Sequence, residues 1–346
     1  MTYKVTLDPV GMEMEVEEGE TILNAAFRQG VALMHGCKEG QCSTCKSILV
    51  DGDVEMERYS TFALPDHEKE EGYILLCKTL CYSDVQVELL QYDEEALKVS
   101  IPIKTYQTTI ESIESVTHDI RKLTLKLVEP KKISFHAGQF VDIYAPGQTY
   151  YRSYSMGNTP KESGKLEFMM KIFKGGKFST LLDEVFEVGD ELEVKGPYGN
   201  CIRREDSQSD IVLIGGGSGM APLWSILNDM DEKNVKRNVT FFYGARTKQD
   251  LFYLDKFAEL EKRLDGFRFI PALSEPLPED KWDGETGFIT EVIERYLKLP
   301  STPTNDLEAF LCGPAPMIDA AITLLRGNGV TTDRISFDKF VAAATT

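Results

Sequence analysis

The fold is decided by the segment Cys37-Lys38-Glu39-Gly40-Gln41-Cys42-Ser43-Thr44-Cys45. Its three cysteines have the spacing C-x4-C-x2-C, and a fourth cysteine, Cys77, follows at a distance along the chain. This spacing is typical of the plant-type [2Fe-2S] cluster, in which four thiolates hold two irons. Gly36 and Gly40 suit such a loop, because glycine permits positive φ and a close approach of the backbone. We therefore predict an iron–sulfur site that Cys37, Cys42 and Cys45 hold together with a fourth, more distant cysteine.

The sequence leaves two alternatives open at this site. A structural zinc site also uses C-x2-C pairs, although it usually adds a second C-x2-C pair or a histidine pair, and the sequence has neither. Cys81 lies four residues after Cys77 and competes with it as the fourth ligand. Cys201 and Cys312 complete an odd total of seven cysteines, which suggests no disulfide framework and favours a reducing, cytoplasmic setting.

Negative charge is concentrated at the amino-terminal end of the chain. The net charge of the 346 residues is −18, and residues 1–98 alone hold 20 acidic and 8 basic side chains. Such a field repels nucleic acid and can steer a basic partner surface toward this segment, although the same charge also promotes solubility. The sequence has no apolar run of about eighteen residues, so we expect no membrane span.

The first of three predicted segments comprises residues 1–97. Apolar and polar side chains alternate over 3–8 and 12–17, which predicts a β-hairpin. A short helix is expected over Thr21–Gln29, with Thr21 as its N-cap. Together with the cysteine loop, these elements indicate a ferredoxin-like domain of the β-grasp type. The polar stretch 91–104 is interpreted as a linker.

Two further segments follow with different patterns. Residues 98–205 contain short predicted strands separated by turns such as Ala145-Pro146-Gly147, a pattern that favours an antiparallel β-barrel. Residues 206–346 alternate strands and helices, beginning with the strand Ile211–Ile214, which predicts a doubly wound parallel α/β sheet. The expected fold is therefore multidomain, with a β-grasp, a β-barrel and an α/β domain in that order.

Two motifs in the predicted barrel suit a flavin. The tetrapeptide Arg152-Ser153-Tyr154-Ser155 supplies a cation for the pyrophosphate, an aromatic ring for the isoalloxazine and a hydroxyl for its N5 atom. The turn Gly175-Gly176-Lys177-Phe178-Ser179 leads into a predicted helix, whose N-terminus can bind phosphate. Each motif alone also fits an ordinary strand or an ordinary helix cap, so the pair carries the prediction.

The third segment has a glycine turn where a dinucleotide phosphate binds in such sheets. Gly215-Gly216-Gly217-Ser218-Gly219-Met220-Ala221-Pro222 follows a strand and opens a helix. It is not the standard G-x-G-x-x-G fingerprint, because Met220 replaces the third glycine, and the strand Val239–Tyr243 lacks the acidic ribose partner. Cys312-Gly313-Pro314 closes another strand at the edge where ligands bind. A lone buried cysteine is usually a core residue, but this position increases the expectation of contact with a nicotinamide.

These motifs together resemble a known family over nearly the whole chain. The order of plant-type ferredoxin, R-x-Y-S flavin barrel and nucleotide domain ending in C-G-P and D-K-F is similar to the NADH-dependent reductase components of bacterial multicomponent oxygenases. Met34–Cys42 and Tyr59–Ala63 look most like the reductases of soluble diiron monooxygenases that act on propane or methane, with the phenol and toluene types next.

The resemblance implies roles for individual residues. The cluster ligands would be Cys37, Cys42, Cys45 and Cys77. The FAD-binding residues would be Arg152, Tyr154, Ser155, Gly176, Lys177 and Ser179. The residues that face NADH would be Gly216, Gly217, Gly219, Arg246, Asp250, Cys312, Gly313 and Pro314. An aromatic residue near the C-terminus would cover the flavin, either Phe337 or Phe340, with Phe340 preferred, and the catalytic residues would be Ser155, Cys312 and Phe340.

The same resemblance implies a cytoplasmic, monomeric enzyme that moves electrons from NADH through FAD and a [2Fe-2S] cluster to a diiron hydroxylase of hydrocarbons such as alkanes. The acidic ferredoxin domain would contact that hydroxylase. Arg246 by itself suggests NADPH in an ordinary dinucleotide domain, whereas the resemblance favours NADH. The alternatives are the reductase of a Rieske-type ring-hydroxylating dioxygenase, the reductase of a phenol or toluene monooxygenase, and a non-catalytic, zinc-containing nucleotide-binding module.

Overall fold

The computed structural model describes residues 1–92, 97, 101–148, 150–297 and 306–340. The chain forms two compact units, Met1–Lys104 with Gly196–Asn200 and Thr105–Lys195 with Cys201–Thr346. Residues 93–96 and 98–100 of the predicted linker lie outside the described residues. The domain limits at residues 97 and 205 stay predictions. Over the described residues, no helix combines the length and the apolar character needed to cross a membrane.

The first unit is a β-grasp fold. Its strands are β1 Thr2–Asp8, β2 Met12–Glu17, β3 Lys46–Asp51, β4 Val54–Met56, β5 Tyr73–Leu75, β6 Thr79–Cys81 and β7 Val85–Leu89, and its helices are α1 Ile22–Gln29 and α2 Asp66–Glu70. Five strands form a mixed sheet in the order β2-β1-β7-β3-β5, and β4 pairs with β6 in a separate ribbon. The pairing of β1 with β7 is parallel, whereas β2, β3 and β5 join antiparallel.

Helix α1 begins and ends at the residues that local chemistry selects. The Thr21 hydroxyl accepts a hydrogen bond from the Asn24 N–H at 3.3 Å. Gly30 follows the helix with a φ of 72°, a left-handed conformation that glycine adopts without a Cβ clash. The apolar side chains of α1 are buried, and the helix packs against β2. The cysteine loop therefore leaves a fixed helix and enters a fixed strand, β3.

A nearly closed antiparallel barrel follows, and all but Lys104 and residues 196–198 of its strands belong to the second unit. Its strands are β8 Lys104–Ser115, β9 Ile120–Glu129, β10 Phe140–Tyr144, β11 Tyr151–Ser155, β12 Lys165–Lys171 and β13 Glu191–Tyr198, and helix α3 spans Lys177–Glu184. The strand order is β11-β10-β13-β8-β9-β12, and the two edge strands β11 and β12 contact each other. Its core is filled by alternate side chains such as Leu123, Leu125, Val141, Phe168 and Val194.

A six-stranded parallel sheet completes the second unit. Its strands are β14 Asp210–Gly216, β15 Val239–Ala245, β16 Phe267–Leu273, β17 Glu285–Thr286, β18 Leu307–Pro314 and β19 Ile335–Phe340, in the order β17-β16-β15-β14-β18-β19. Helices α4 Met220–Glu232, α5 Leu254–Arg263, α6 Ile289–Leu297 and α7 Ala315–Gly327 connect them. Leu213 faces the core under α4 and α5, while its neighbours Val212 and Ile214 face the core under α6 and α7. The sheet is thus covered on both faces, as a doubly wound fold requires.

The barrel and the parallel sheet share an apolar core. Ile120, Ala137 and Met169 of the barrel pack in the same cluster as side chains of α4 and β18. The Ser225 hydroxyl of α4 donates a hydrogen bond to the Asn158 carbonyl at 2.6 Å, and the Thr159 hydroxyl donates to Glu232 at 3.0 Å. These contacts hold the segment that follows β11 against the middle and the end of α4.

Candidate functional site

The cysteine loop directs backbone N–H groups at its own sulfur atoms. The N–H groups of Glu39 and Gln41 donate to the Sγ atom of Cys37 at 3.4 and 3.2 Å. The Cys37 N–H donates to Cys42 Sγ at 3.3 Å. Lys38 and Gly40 adopt positive φ values of 59° and 66°, which turns these donors inward. Such donors favour thiolates and tune the potential of a bound cluster.

The sulfur atoms of the predicted ligands form two pairs. A hydrogen bond between Cys37 and Cys42 lowers the pKa of Cys42 to about 4 and raises the pKa of Cys37. A second hydrogen bond, between Cys45 and Cys77, lowers the pKa of Cys45 and raises the pKa of Cys77. Four thiols arranged two by two fit a cluster of two irons that is held by four cysteines.

Cys81 lies apart from these pairs. It is the last residue of β6 and pairs with Val54 across the ribbon. Burial alone raises the pKa of its thiol to about 11. The structure therefore brings Cys77 together with the other three cysteines and leaves Cys81 in the ribbon, which supports the predicted ligand set.

A second segment of the first unit packs onto the cysteine loop. The Ser60 N–H donates to the Gly40 carbonyl at 2.9 Å, and a Cβ atom on Gly40 would lie 2.9 Å from the Tyr59 Cβ. Phe62, two residues after Ser60, is 95% exposed, although it is a large apolar side chain. The cysteine loop is thus bordered by an aromatic side chain that projects into solvent.

The predicted flavin residues share one strand of the barrel. Tyr150, Arg152 and Tyr154 alternate along β11 and the residue before it, so their side chains leave the strand on one face. The Arg152 guanidinium lies 4.8 Å from the centre of the Tyr150 ring. The Tyr150 hydroxyl is buried and has no hydrogen-bond partner among the described residues. A buried hydroxyl without a partner beside a cation and aromatic rings fits the binding of a flavin nucleotide.

The glycine turn before α3 lies beside the same strand. The ring of Phe178, in the first turn of α3, is 5.4 Å from the ring of Tyr154, and burial raises the pKa of the Tyr154 hydroxyl. The Ser179 hydroxyl donates to the Phe173 carbonyl at 3.0 Å, so it closes the turn. Gly176 precedes the helix, and a Cβ atom there would lie 2.5 Å from Ser179 Oγ. The helix N-terminus that could receive a phosphate is therefore fixed, and Lys177 lies exposed beside it.

The second glycine turn lies at the carboxyl edge of the parallel sheet. Strand β14 passes through a short 3-10 turn, Gly217–Gly219, into α4. Gly217 has a φ of 57° and open space beside its Cα, whereas a Cβ atom on Gly219 would lie 2.0 Å from the Cys312 carbonyl oxygen. The Tyr243 hydroxyl donates to the Gly217 carbonyl at 3.0 Å. Gly217 thus offers a backbone cradle for phosphate, while Gly219 permits the contact with β18.

The predicted nicotinamide residues and the C-terminal aromatics lie on adjacent parallel strands. Cys312 pairs with Asp338 and Pro314 with Phe340 across β18 and β19. Alternation places Phe340 on the face of Asp338 and turns Phe337 to the other face, where Phe337 is 41% exposed. The structure thus separates the two aromatic candidates, and Phe340 is the one that shares a face with Asp338.

Asp338 has an unusual environment. Its Oδ2 atom is buried and has no hydrogen-bond partner among the described residues, and burial raises the pKa of this carboxyl group to about 7.

Gly313, the residue after Cys312, has a φ of 148°, and a Cβ atom there would lie 3.1 Å from the Gly216 carbonyl oxygen. The end of β18 and the glycine turn therefore meet, as a nicotinamide dinucleotide that spans both would require.

Of the two residues predicted on the adenosine side, Arg246 is exposed, whereas Asp250 makes hydrogen bonds within a turn. Arg246 follows β15 and is exposed. The Asp250 carboxylate accepts hydrogen bonds from the Thr247 N–H at 2.8 Å and from its hydroxyl at 3.0 Å. Asp250 therefore stabilises the turn that presents Arg246, and its predicted contact with adenosine stays a prediction.

The flavin strand and the nucleotide helix approach each other closely. Ser155 ends β11 and is buried. Two residues later, a Cβ atom on Gly157 would lie 3.7 Å from the Cβ of Ala221, which is in the first turn of α4. The predicted flavin and dinucleotide sites are therefore neighbours within the second unit.

Sequence reasoning missed two residues of these sites, Tyr150 and Asp338, and it also missed the contact of Cys201 with Cys312 behind them. Tyr150 could have been found, because it precedes Arg152 by two positions and so shares its face. Asp338 stands in the quoted C-terminal stretch, but its burial depends on the pairing of β19 with β18. The sulfur atoms of Cys201 and Cys312 are 3.9 Å apart, although 111 residues separate them in sequence. No local pattern indicates this contact.

Family comparisons agree with this arrangement. The chain matches the 2Fe-2S iron-sulfur cluster binding domain over residues 5–82, the oxidoreductase FAD-binding domain over 107–202 and the oxidoreductase NAD-binding domain over 213–322. The fold and the sites define an NAD(H) oxidoreductase that uses FAD and a [2Fe-2S] cluster.

Relatives that match this chain over nearly its whole length identify a narrower class of oxidoreductase. The reductase component of propane 2-monooxygenase from Mycolicibacterium smegmatis is 46% identical over 344 residues, covering 99% of this chain and 98% of that protein. The phenol 2-monooxygenase reductase component DmpP from Pseudomonas sp. is 34% identical, covering 99% and 96%. The crystal structure of the Amycolatopsis cytochrome P450 reductase GcoB superposes with a TM-score of 0.88 at 30% identity, covering 99% of this chain and 100% of that chain. The chain belongs to the family of monooxygenase reductase components that combine ferredoxin, FAD and NAD domains.

Proposed function

We propose that this chain takes electrons from NADH and delivers them to a diiron hydroxylase that oxidises hydrocarbons such as alkanes. The observation that carries the proposal is the contact between the end of β11 and the first turn of α4, at Gly157 and Ala221. Hydride transfer requires the nicotinamide and the flavin to meet, and this contact brings their binding elements together. When bound, FAD accepts the hydride pair and releases single electrons to the [2Fe-2S] cluster.

The chain's own residues would hold and orient these groups. Arg152 and the N-terminus of α3, with Gly176, Lys177 and Ser179, suit the FAD pyrophosphate, and Tyr154 suits the ring. Ser155 would donate a hydrogen bond at the flavin N5 atom. Cys312, followed by Gly313 and Pro314, would orient the nicotinamide, and Phe340 would exclude water from the ring. Cys37, Cys42, Cys45 and Cys77 would hold the cluster.

The dinucleotide preference is proposed as NADH. Gly216, Gly217 and Gly219 suit the pyrophosphate, and Asp250 holds the turn that carries Arg246. A guanidinium at this position can accept a 2′-phosphate in other dinucleotide domains, which would favour NADPH. The 46% identity to a propane monooxygenase reductase over the whole chain supports NADH through the family resemblance.

The partner would contact the first unit near the cysteine loop. The side chains of Glu39 and Glu57 beside Lys78 are 62% and 49% exposed. Phe62, in the segment whose Ser60 N–H bonds to the loop at Gly40, is 95% exposed. Exposed acidic groups and an exposed apolar side chain fit a basic partner surface that contains an apolar pocket. We propose that the hydroxylase has such a surface and that the reductase acts as a monomer.

The test is NADH oxidation by the FAD- and cluster-loaded protein, coupled to purified oxygenase components. We expect product only with a diiron hydroxylase, and a faster rate with an alkane hydroxylase than with a phenol or toluene hydroxylase. Product formed instead with a Rieske-type dioxygenase would refute the proposed partner. A protein that bound zinc and no flavin would refute the electron-transfer function itself.

A further inference from the structure

Two buried cysteines and a carboxylate converge behind the predicted nicotinamide site. The sulfur atoms of Cys201 and Cys312 are 3.9 Å apart, and both side chains are at most 2% exposed. One carboxylate oxygen of Asp338 joins them, so that the three ligand atoms lie within 4.8 Å of one another. Cys201 follows the barrel strand β13, whereas Cys312 and Asp338 belong to the parallel sheet.

The separations fit tetrahedral coordination. Two sulfur atoms bound to one zinc ion at about 2.3 Å with tetrahedral angles lie about 3.8 Å apart. The observed distance of 3.9 Å between the sulfur atoms is close to this value. The three atoms therefore need little movement to bind one cation, and a fourth position would stay open to water.

The backbone holds both cysteines in place. A Cβ atom on Gly138 would lie 2.1 Å from the Cys201 carbonyl oxygen, and one on Gly219 would lie 2.0 Å from the Cys312 carbonyl oxygen. Each cysteine thus packs against a glycine with no space between them. Preorganised ligands reduce the ordering that metal binding must otherwise supply.

A second observation points to a missing ligand. Asp338 Oδ2 is buried without a hydrogen-bond partner among the described residues, and one oxygen of the same carboxylate lies within 4.8 Å of the two sulfur atoms. Burying a polar oxygen without a partner is unfavourable, and a cation would satisfy it. Two sulfur ligands select a thiophilic d10 cation such as Zn²⁺ or Cd²⁺ over Mg²⁺ or Ca²⁺, which prefer oxygen.

We propose that Cys201, Cys312 and Asp338 form a binding site for Zn²⁺ or a cation of the same class. As each sulfur–zinc bond forms, the thiol releases its proton to solvent. Zinc at this site would take Cys312 away from the nicotinamide and inhibit reduction of the enzyme by NADH. This inhibition rests on the proposed function, whereas binding of the cation does not.

The experiment titrates ZnCl₂ into the FAD- and cluster-loaded protein without oxygen and without chelators. Calorimetry should give one site, and X-ray absorption at the zinc edge should show two sulfur neighbours at about 2.3 Å. Zinc should slow flavin reduction by NADH, and a chelator should restore it. Cys201→Ala should keep the zinc-free rate, because Cys201 has no place in the cofactor sites, yet its zinc Kd should rise about 100-fold with a ligand lost.

His118→Ala is the matched control. His118, Asp119 and Asp250 form another group of potential ligands within 4.8 Å, but Asp119 pairs with Lys171 at 2.6 Å and Asp250 caps a turn. His118→Ala should bind zinc as the unchanged protein does. The site is refuted if Cys201→Ala binds zinc normally, if His118→Ala loses the binding, or if zinc removes the visible absorbance of the iron–sulfur cluster. Failure of NADH to reduce the zinc-free protein would refute the proposed function and leave the zinc measurement intact.

Discussion

At the scale of single residues, substitution of Tyr150 should change the stability of the protein and its affinity for FAD in opposite directions. Its hydroxyl is buried without a partner among the described residues. Tyr150→Phe should therefore stabilise the FAD-free protein by about 1 kcal/mol, because an unsatisfied polar group is removed. If the hydroxyl bonds to FAD, the same change should raise the Kd of FAD about tenfold. Urea unfolding of the FAD-free protein and fluorescence titration with FAD measure the two effects, and unchanged FAD affinity would exclude this contact.

The fourth cluster ligand is also decided by a single residue. Cys77 pairs with Cys45, whereas Cys81 sits in the ribbon opposite Val54. Cys77→Ser should lose or strongly alter the visible absorbance and the electron paramagnetic resonance signal of the reduced cluster. Cys81→Ser should keep both signals, since it removes only a buried thiol. The reverse pattern would assign the ligand to Cys81.

At the scale of elements, the turn before α4 can pack closely against β18 because residue 219 is a glycine and has no Cβ atom. A Cβ atom on Gly219 would lie 2.0 Å from the Cys312 carbonyl oxygen. Gly219→Ala should therefore lower the free energy of unfolding by about 3 kcal/mol, as overpacking against a fixed backbone does. Gly217→Ala is the control, because its Cβ would meet no atom within 4 Å. It should cost only about 1 kcal/mol for its left-handed φ. Equal losses in denaturant unfolding would contradict this difference.

Elements with strong local signals were predictable from the sequence. The N-cap of α1 is Thr21, as predicted, and the buried side chains of helix α6, Ile289–Leu297, recur with helical period. Strand β19 was not predicted as a strand, because Ile335–Phe340 alternates weakly and is fixed only by pairing with β18. The ribbon of β4 and β6 was also missed, because strands of only three residues are too short to show an alternating pattern.

The candidate sites divide in the same way. The cysteine loop and the R-x-Y-S strand are contiguous in sequence, so their residues could be identified there. The contact of Cys201 with Cys312 and the burial of Asp338 join segments that are distant in sequence, and they follow from tertiary packing alone. The choice between Phe337 and Phe340 needed the strand register, which turns the two rings to opposite faces.

At the scale of the whole molecule, charge is distributed unevenly. Residues 1–98 carry 20 acidic and 8 basic side chains, and the net charge of the whole chain is −18. Association with a basic partner should therefore be steered by this field and should slow as salt screens it. We expect the second-order rate of hydroxylase reduction to fall steadily with ionic strength, while reduction of the flavin by NADH changes less. Stopped-flow measurement of both steps checks this, and a partner rate independent of salt would exclude steering.

Phe62 provides the apolar part of the same surface. A large apolar side chain that is 95% exposed beside the cysteine loop has no packing role in its own unit. Buried aromatic anchors often dominate binding energy at an interface, so Phe62→Ala should raise the KM for the hydroxylase about tenfold. Reduction of the flavin by NADH should stay unchanged. Phe288→Ala removes a 69% exposed phenylalanine from the parallel-sheet region and should leave both steps intact. Equal effects of the two substitutions on the hydroxylase would mean that exposed apolar area, rather than the border of the cysteine loop, determines docking.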